Sequence, residues 1–219
     1  MKKISIIIPN YNHNKYLLNA VESALRVKYN KEIIVVDDCS EESPRELLKG
    51  LDVTFVQREK NGGLSAARNT GIKIATGTHI FPLDADDELK EGALETLMES
   101  DADIVYGDLE WWSGGTLESN QEVKYEQFLI NNQLFAGSLY KKEVWDVIGG
   151  YCEDWKEYYE DWYFWGRASK AGFKFEKVNV VVYRYRGEPD GMCSRLGKNR
   201  DYNLNLVIEN LKLWERKSQ

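Results

Sequence analysis

The chain has 219 residues, 42% of them hydrophobic and 30% charged, with a net charge of −7. These proportions are ordinary for a soluble globular protein with a sizeable core, and the acidic balance argues against nucleic-acid binding by bulk electrostatics, leaving only a local basic groove open. Cys39, Cys152 and Cys193 are scattered without metal-ligand spacing and read as reduced thiols, no window approaches a membrane-spanning length, and the apolar run in "MKKISIIIPNYN" is too short for a signal-peptide core.

In chain order, "ISIIIP" (4–9) predicts a buried strand, followed by a helix over 16–26 in which Leu17, Leu18, Val21, Ala24 and Leu25 recur with helical spacing. "EIIVVDD" (32–38) predicts a second strand. "SPRE" (43–46) predicts a helix start, with Ser43 as cap, Pro44 in the first turn and Glu46 closing a capping box. A third strand, "VTFVQ" (53–57), precedes a helix of small residues over 64–77 that Gly77 terminates. "HIFPL" (79–83) is a fourth strand, then come a helix around 92–99 and a strand at 103–108. Beyond Asp108 the alternation breaks: "WWSGGT" (111–116) reads as a hairpin turn, and short strands and helices follow irregularly up to an amphipathic helix at 203–217. No linker or repeat intervenes, so the expectation is one domain with two lobes.

Alternating strands and helices over the first hundred residues predict a parallel, doubly wound sheet, whose ligands lie beyond the carboxyl ends of its strands. Three such ends carry polar or acidic groups: "PNYN" (9–12), "DDCS" (37–40) and "LDADD" (83–87). Neither G-x-G-x-x-G nor a P-loop is present, so a nucleotide would be held without a glycine cradle. In "FPLDADDE" (81–88), Asp84, Asp86 and Asp87 crowd together. Two carboxylates about 5 Å apart repel by roughly 3 kcal/mol at an effective dielectric near 20. Either a helix dipole or a divalent cation with a phosphate on its far side compensates.

"SIIIPNYN", "IIVVDDCS", "NGGLSAARNTGIKIATGTHIFPLDADD" and "YYEDWYFWGRASKAG" occur in that order and together resemble family-two glycosyltransferases, inverting enzymes of the GT-A fold, over residues 3–186. The resemblance implies an α/β fold with a mainly parallel central sheet and a smaller mixed acceptor lobe. Residues 1–108 would form the nucleotide-sugar half, 109–195 the acceptor half and 196–219 a terminal helix. It also implies a nucleotide-diphosphate sugar, UDP-linked, with Mn²⁺ or Mg²⁺. The acceptor would be a glycan, a lipid-linked molecule or another hydroxyl in surface polysaccharide or glycoconjugate synthesis. The expected location is cytoplasmic, at most peripheral at a membrane.

Residue by residue, the resemblance places Tyr11 on the nucleobase beside Pro9, and makes Asp38 the acceptor for a uracil-like N–H; a carboxylate satisfied by local backbone amides is the competing reading for Asp38. Arg68 would lie near base and phosphates, or be a solvated ion-pair former. Asp84 would meet ribose and metal, and Asp86 would ligate the metal. Asp87, followed by Glu88, reads as a cap of the next helix. Asp161 would be the general base, with Glu160 and Trp162 at the acceptor and Trp155, Tyr158, Tyr159 and Trp165 as a sugar-stacking surround; a dipole-stabilised helix start is the competing reading for the pair. Arg186 stands in "YRYRGEPDGMCS" (183–194) where the family often has a histidine. It cannot ligate a cation but can neutralise diphosphate. His13 and His79 read as structural.

Two other functions compete. A non-catalytic nucleotide-sugar-binding module is opposed by the intact Asp84, Asp86 and Asp161. Sugar transfer to a modified nucleobase in DNA is opposed by the acidic charge, and would need a basic groove from Arg184, Arg186, Arg195, Lys198 and Arg200.

Overall fold

The structure is a computed structural model that describes residues 2–154, 159–187 and 200–214. Its spine is β1 (Ile4–Asn10), every residue of which is buried. It is flanked by two parallel neighbours, β2 (Lys31–Asp37) and β4 (His79–Pro82), with β3 (Thr54–Gln57) parallel beyond β2. A strand paired on both edges and covered on both faces needs a continuous apolar run rather than an alternating one. Ile4, Ile6 and Ile8 pack on one side with Leu17 and Val21 of α1 (Asn14–Leu25), and Ile7 packs on the other with Ala67 and Ile72 of α2 (Leu64–Ile74). Each buried isoleucine contributes about 1.5–3 kcal/mol. Pro9, which has no N–H, falls beyond the last β1–β4 pair, Ile7 with Pro82, so its missing donor costs no ladder bond.

After β4 come β5 (Glu88–Leu89), α3 (Ala93–Leu97), β6 (Ile104–Trp111), β7 (Thr116–Leu117), α4 (Tyr125–Phe128), β8 (Leu139–Lys141), α5 (Lys142–Ile148), α6 (Glu160–Lys170), β9 (Phe175–Tyr185) and α7 (Arg200–Leu213). The described strands form one sheet in the order β3-β2-β1-β4-β8-β6-β9-β5, with β7 on β6 as the hairpin expected from "WWSGGT". β8 is antiparallel to both β4 and β6, whereas β6 and β9 are parallel. The sheet is therefore mixed but mostly parallel. The carboxyl ends of β1, β2, β4, β6 and β9 all emerge on one edge, bringing residues 10–12, 37–40, 83–87, 112 and 186 together.

Two expected features differ. Residues 44–50 make successive turns rather than a helix. Ser43 donates its hydroxyl to Gln57 Oε1 at 2.7 Å instead of capping, and of residues 43–50 only Pro44 and Leu48 are buried, too few for a helical stripe. Asp87 and Glu88 cap no helix: Asp87 is buried and Glu88 opens β5 opposite Arg184. The terminal helix buries Val207 and Leu211, the latter against Gly166 of α6.

The connection from α2 into β4 turns on Gly77, whose N–H donates to Ser5 Oγ at 2.9 Å and to Glu32 Oε1 at 3.0 Å. A Cβ there would meet Ser5 Oγ and lie 2.8 Å from Ser5 N and 2.9 Å from Lys3 O, which are backbone atoms of the central strand. Gly77→Ala is therefore expected to destabilise the protein by about 1–3 kcal/mol in a urea titration, because the strand cannot retreat without breaking its ladder.

Candidate active site

At the ends of β1 and β2 a hydrogen-bonded knot fixes the edge. Asn10 Nδ2 donates to Asp37 Oδ1 at 2.8 Å, and Asp37 also accepts from Ser40 N, Ser40 Oγ and Gln57 Nε2 at 3.1, 2.6 and 3.0 Å. Asp37 is fully buried and structural. Asp38 accepts from Arg58, from Gly62 N at 3.1 Å and from Gly63 N at 2.7 Å, so the local-amide alternative is the arrangement made here. Those bonds shape loop 59–63 ahead of α2. Tyr11, 48% exposed, projects from the β1 end. Beside it Asn12 and Cys39 hold left-handed backbone, φ 56° and 66°, uncommon for residues other than glycine and concentrated at this edge.

The acidic turn follows β4. Leu83 N donates to Ile7 O at 2.9 Å, and Asp87 N closes the turn on Asp84 O at 3.0 Å. Asp84 and Asp86 are partly exposed while Ala85 and Asp87 between and after them are buried. Asp87 accepts from Arg186 N at 3.0 Å, and its carboxyl is pushed well above the usual range by burial first, then by the charges of Asp84 and Asp86. Arg186 itself lies between two rings, 4.1 Å from the Tyr16 centroid and 3.9 Å from that of Trp112, and donates from Nε to Asp86 O at 3.0 Å.

Arg68 is not solvated. It is fully buried in α2, donating from one terminal nitrogen to Asp84 Oδ1 at 2.8 Å and from the other to Glu160 Oε1 at 2.6 Å. Burial opposes its charge, but Asp84 and then Glu160 outweigh that and hold it firmly protonated. One guanidinium thus ties the acidic turn to the start of α6.

That helix begins abruptly. Tyr159 has φ 65°, a left-handed conformation rare for an aromatic residue, and it delivers Glu160 and Asp161 in the first turn. Asp161 accepts from Trp162 N at 2.7 Å and from Asn132 Nδ2 at 2.9 Å. Its carboxyl is pushed up to about 7, by burial first and then by the Glu160 charge, against the pull of Arg68.

The structure brings together Pro9, Tyr11, Asp38, Asp84, Asp86 and Arg186 at the sheet edge and links them through Arg68 to Glu160 and Asp161. Trp162 corrects the sequence reading. It is 1% exposed with its indole N–H on Phe128 O at 2.8 Å, so it packs the core and offers no face to an acceptor; Trp165 is likewise buried. Trp155 and Tyr158 lie outside the described residues, as do Arg195 and Lys198 of the conjectured basic groove. Of the groove's remaining arginines, Arg184 faces Glu110 at 3.4 Å and Arg186 is engaged as above. His79 is structural as expected, buried beside Thr78, with burial and then Lys2 and Lys141 holding its pKa down to about 4. Sequence reasoning missed Arg58, Asn132 and Trp112, which make contacts across loops far apart in the chain and carry no spacing signal.

A mostly parallel sheet with paired carboxylates beyond β4 and a second carboxylate pair opening a later helix is the arrangement that the resemblance to GT-A glycosyltransferases implies. The model of glycosyl transferase family 2 matches residues 5–179, and the chain belongs to that family. An uncharacterized glycosyltransferase of Bacillus subtilis (strain 168), YwdF, is 30% identical over 231 residues, covering 94% of this chain and 83% of the relative. The poly(ribitol-phosphate) β-N-acetylglucosaminyltransferase TarP of Staphylococcus aureus (strain N315) is 38% identical over 120 residues, covering 49% of this chain and 36% of TarP. The crystal structure of S. aureus TarS 1–349 in complex with UDP-GlcNAc superposes with a TM-score of 0.79 at 20% identity, over all of this chain and 68% of that one. The chain thus spans most of one relative and little more than a third of another. Among the described residues no helix is long and apolar enough to cross a membrane.

Proposed function

We propose that the protein is an inverting glycosyltransferase that moves a sugar from a UDP-linked donor to an acceptor hydroxyl in a surface polysaccharide or glycoconjugate. The observation that carries this reading is the Arg68 bridge, which holds Asp84 of the donor edge and Glu160, neighbour of Asp161, on the two arms of one buried guanidinium. A single displacement needs such a fixed relation: one base on the face opposite the leaving diphosphate, and no covalent nucleophile. The acceptor hydroxyl gives its proton to Asp161 as its oxygen bonds the anomeric carbon, while the bond to the diphosphate breaks and its electron pair leaves with that group.

In this reading residues 1–108 hold the donor and 109–195 the acceptor. Tyr11 stacks on the nucleobase beside Pro9. Asp38, its acceptor positions engaged by Arg58 and the Gly62 and Gly63 amides, acts on the base through the loop it orders. Asp84 and Asp86 form an oxygen-only donor pair, which suits Mg²⁺ or Mn²⁺ and would hold such a cation if it binds; among the described residues no group of three candidate ligands forms. When bound, the cation neutralises charge developing on the diphosphate. Arg186 adds a permanent positive charge beside the same turn. The names of the relatives support the acceptor class, and the TarS complex with UDP-GlcNAc is consistent with a UDP-linked donor.

The test is a thermal-shift series followed by a turnover screen of nucleotide sugars. UDP is expected to raise the melting temperature much more with Mn²⁺ or Mg²⁺ than with chelator. Equal shifts in both conditions mean that Arg186 has taken over the metal's role. No shift with UDP, alongside a clear one with another nucleotide, removes the UDP assignment.

A further inference from the structure

The stretch 128–134, the end of α4 and the segment after it, is bolted to the first turn of α6 at two points, Trp162 Nε1 on Phe128 O at 2.8 Å and Asn132 Nδ2 on Asp161 Oδ2 at 2.9 Å. Its backbone has little freedom. Gln133 is buried, donating to Gln127 O and Asn131 O at 3.1 and 2.9 Å and accepting from Asn120 Nδ2 at 2.7 Å, while Leu134 anchors in the core. Asn132 and Asp161 both stay partly exposed, side by side. Among the described residues, each Asp161 oxygen takes one hydrogen bond, Oδ1 from Trp162 N and Oδ2 from Asn132. A carboxylate oxygen has two acceptor positions, so one on each remains for an incoming hydroxyl.

We propose that Asn132 is a positioning residue of the transfer reaction: its side-chain amide fixes the plane of the Asp161 carboxylate, so that the carboxylate meets the acceptor hydroxyl in a single orientation. The inference rests on the reading of Asp161 as the base. Trp162 N alone would leave the carboxylate free to rotate about that one bond, and the second anchor, from a different part of the chain, removes the rotation. Among the described residues, the charged and titratable groups facing Asp161 are Glu160 on its own helix, Arg68 from α2, Tyr151 from the segment after α5 and Tyr183 from β9. Glu160 disfavours the ionised carboxylate and Arg68 favours it. The Asn132 hydrogen bond also favours it, without adding a charge that would attract the diphosphate away from Arg186.

The experiment compares Asn132→Ala and the isosteric Asn132→Asp with the full wild-type chain. One readout is UDP release from UDP-GlcNAc with Mn²⁺, as kcat and donor KM against pH. The other is the ¹³C titration of the Asp161 carboxyl. Asn132→Ala is expected to lower kcat roughly ten- to a hundredfold with donor KM within about twofold. It should also move the acid limb and the carboxyl midpoint upward by about one pH unit. Asn132→Asp should move both further, because a second carboxylate replaces the donor. A role confined to packing gives the reverse order, with the isosteric Asp close to wild type, and that order overturns the proposal, as does an unmoved midpoint in both variants. Full turnover in Asp161→Asn removes the base reading and Asn132's role with it, whereas an unmoved midpoint in an enzyme that Asp161→Asn silences removes the Asn132 proposal alone. The titration decides the orientation even where UDP-GlcNAc is not the donor.

Discussion

Asp161→Asn is expected to cut sugar transfer by at least roughly a hundredfold while leaving the fold and UDP binding nearly intact, since positioned proton transfer typically contributes about 10²–10⁴-fold. The substitution is isosteric, and an asparagine oxygen can still accept from Trp162 N, which lies 2.7 Å from the Asp161 carboxylate. UDP contacts the other edge of the site in the proposed arrangement, so its affinity reports on the donor pocket separately. Glu160→Gln should be milder for the chemistry, because its neighbour still takes the proton. Near-native transfer in Asp161→Asn together with its loss in Glu160→Gln would move the base to Glu160.

The same variant carries a stability signature with a definite sign. The Asp161 carboxyl is raised in the fold to about 7 from an ordinary 3.8. Between those values the folded protein holds a proton that the unfolded chain has released, so this group's contribution falls as pH rises across that window. Asparagine does not titrate. The melting temperature of Asp161→Asn relative to wild type is therefore expected to climb from pH 4 to pH 8, while activity at pH 8 is lost. A catalytic carboxylate held at a cost to the fold gives this pair of opposite trends; a surface carboxylate gives neither.

The parallel half of the fold is legible in the sequence because its strands are buried on both faces. "ISIIIP" and "EIIVVDD" must then be unbroken apolar runs, and a run that stops at a polar residue marks the sheet edge, which is why the amino-acid order alone puts Asp38 and Asp84 there. The helix expected at 43–46 does not form because capping residues describe how a helix would start, not whether enough buried apolar surface follows to hold it; of residues 45–50 only Leu48 is buried. Trp162 misleads for a related reason. Composition marks an aromatic as able to stack a sugar, but whether its face is open depends on α4, whose Phe128 carbonyl claims the indole N–H. Arg68 falls in the expected region with unexpected partners, since Glu160 lies 92 positions away and no local pattern announces an ion pair of that span.

Arg68→Met is expected to be the most destabilising single change in the site, by about 3–5 kcal/mol, the range for removing one partner of a buried ion pair. Glu160 has only 9% of its side chain exposed, so without Arg68 its charge loses a partner at 2.6 Å and gains almost no water. At roughly 2–4 °C per kcal/mol for a chain of this size, the melting temperature should fall by about 6–20 °C. Arg68→Lys is expected to fall in between: the ammonium keeps the charge but lacks the planar fork that spans Asp84 and Glu160 together. The decisive arm is Arg68→Met/Glu160→Gln. Replacing both charges by neutral groups of similar size should recover much of the lost stability, since the more deeply buried carboxylate, Glu160, is then no longer an unpaired ion, and Asp84 keeps 31% of its side chain exposed. It should not recover transfer, because Asp84 has then lost the clamp that holds it in register with Asp161. A loss below about 1 kcal/mol in Arg68→Met, or additive losses in the double variant, would show that the bridge transmits nothing between the two carboxylate pairs.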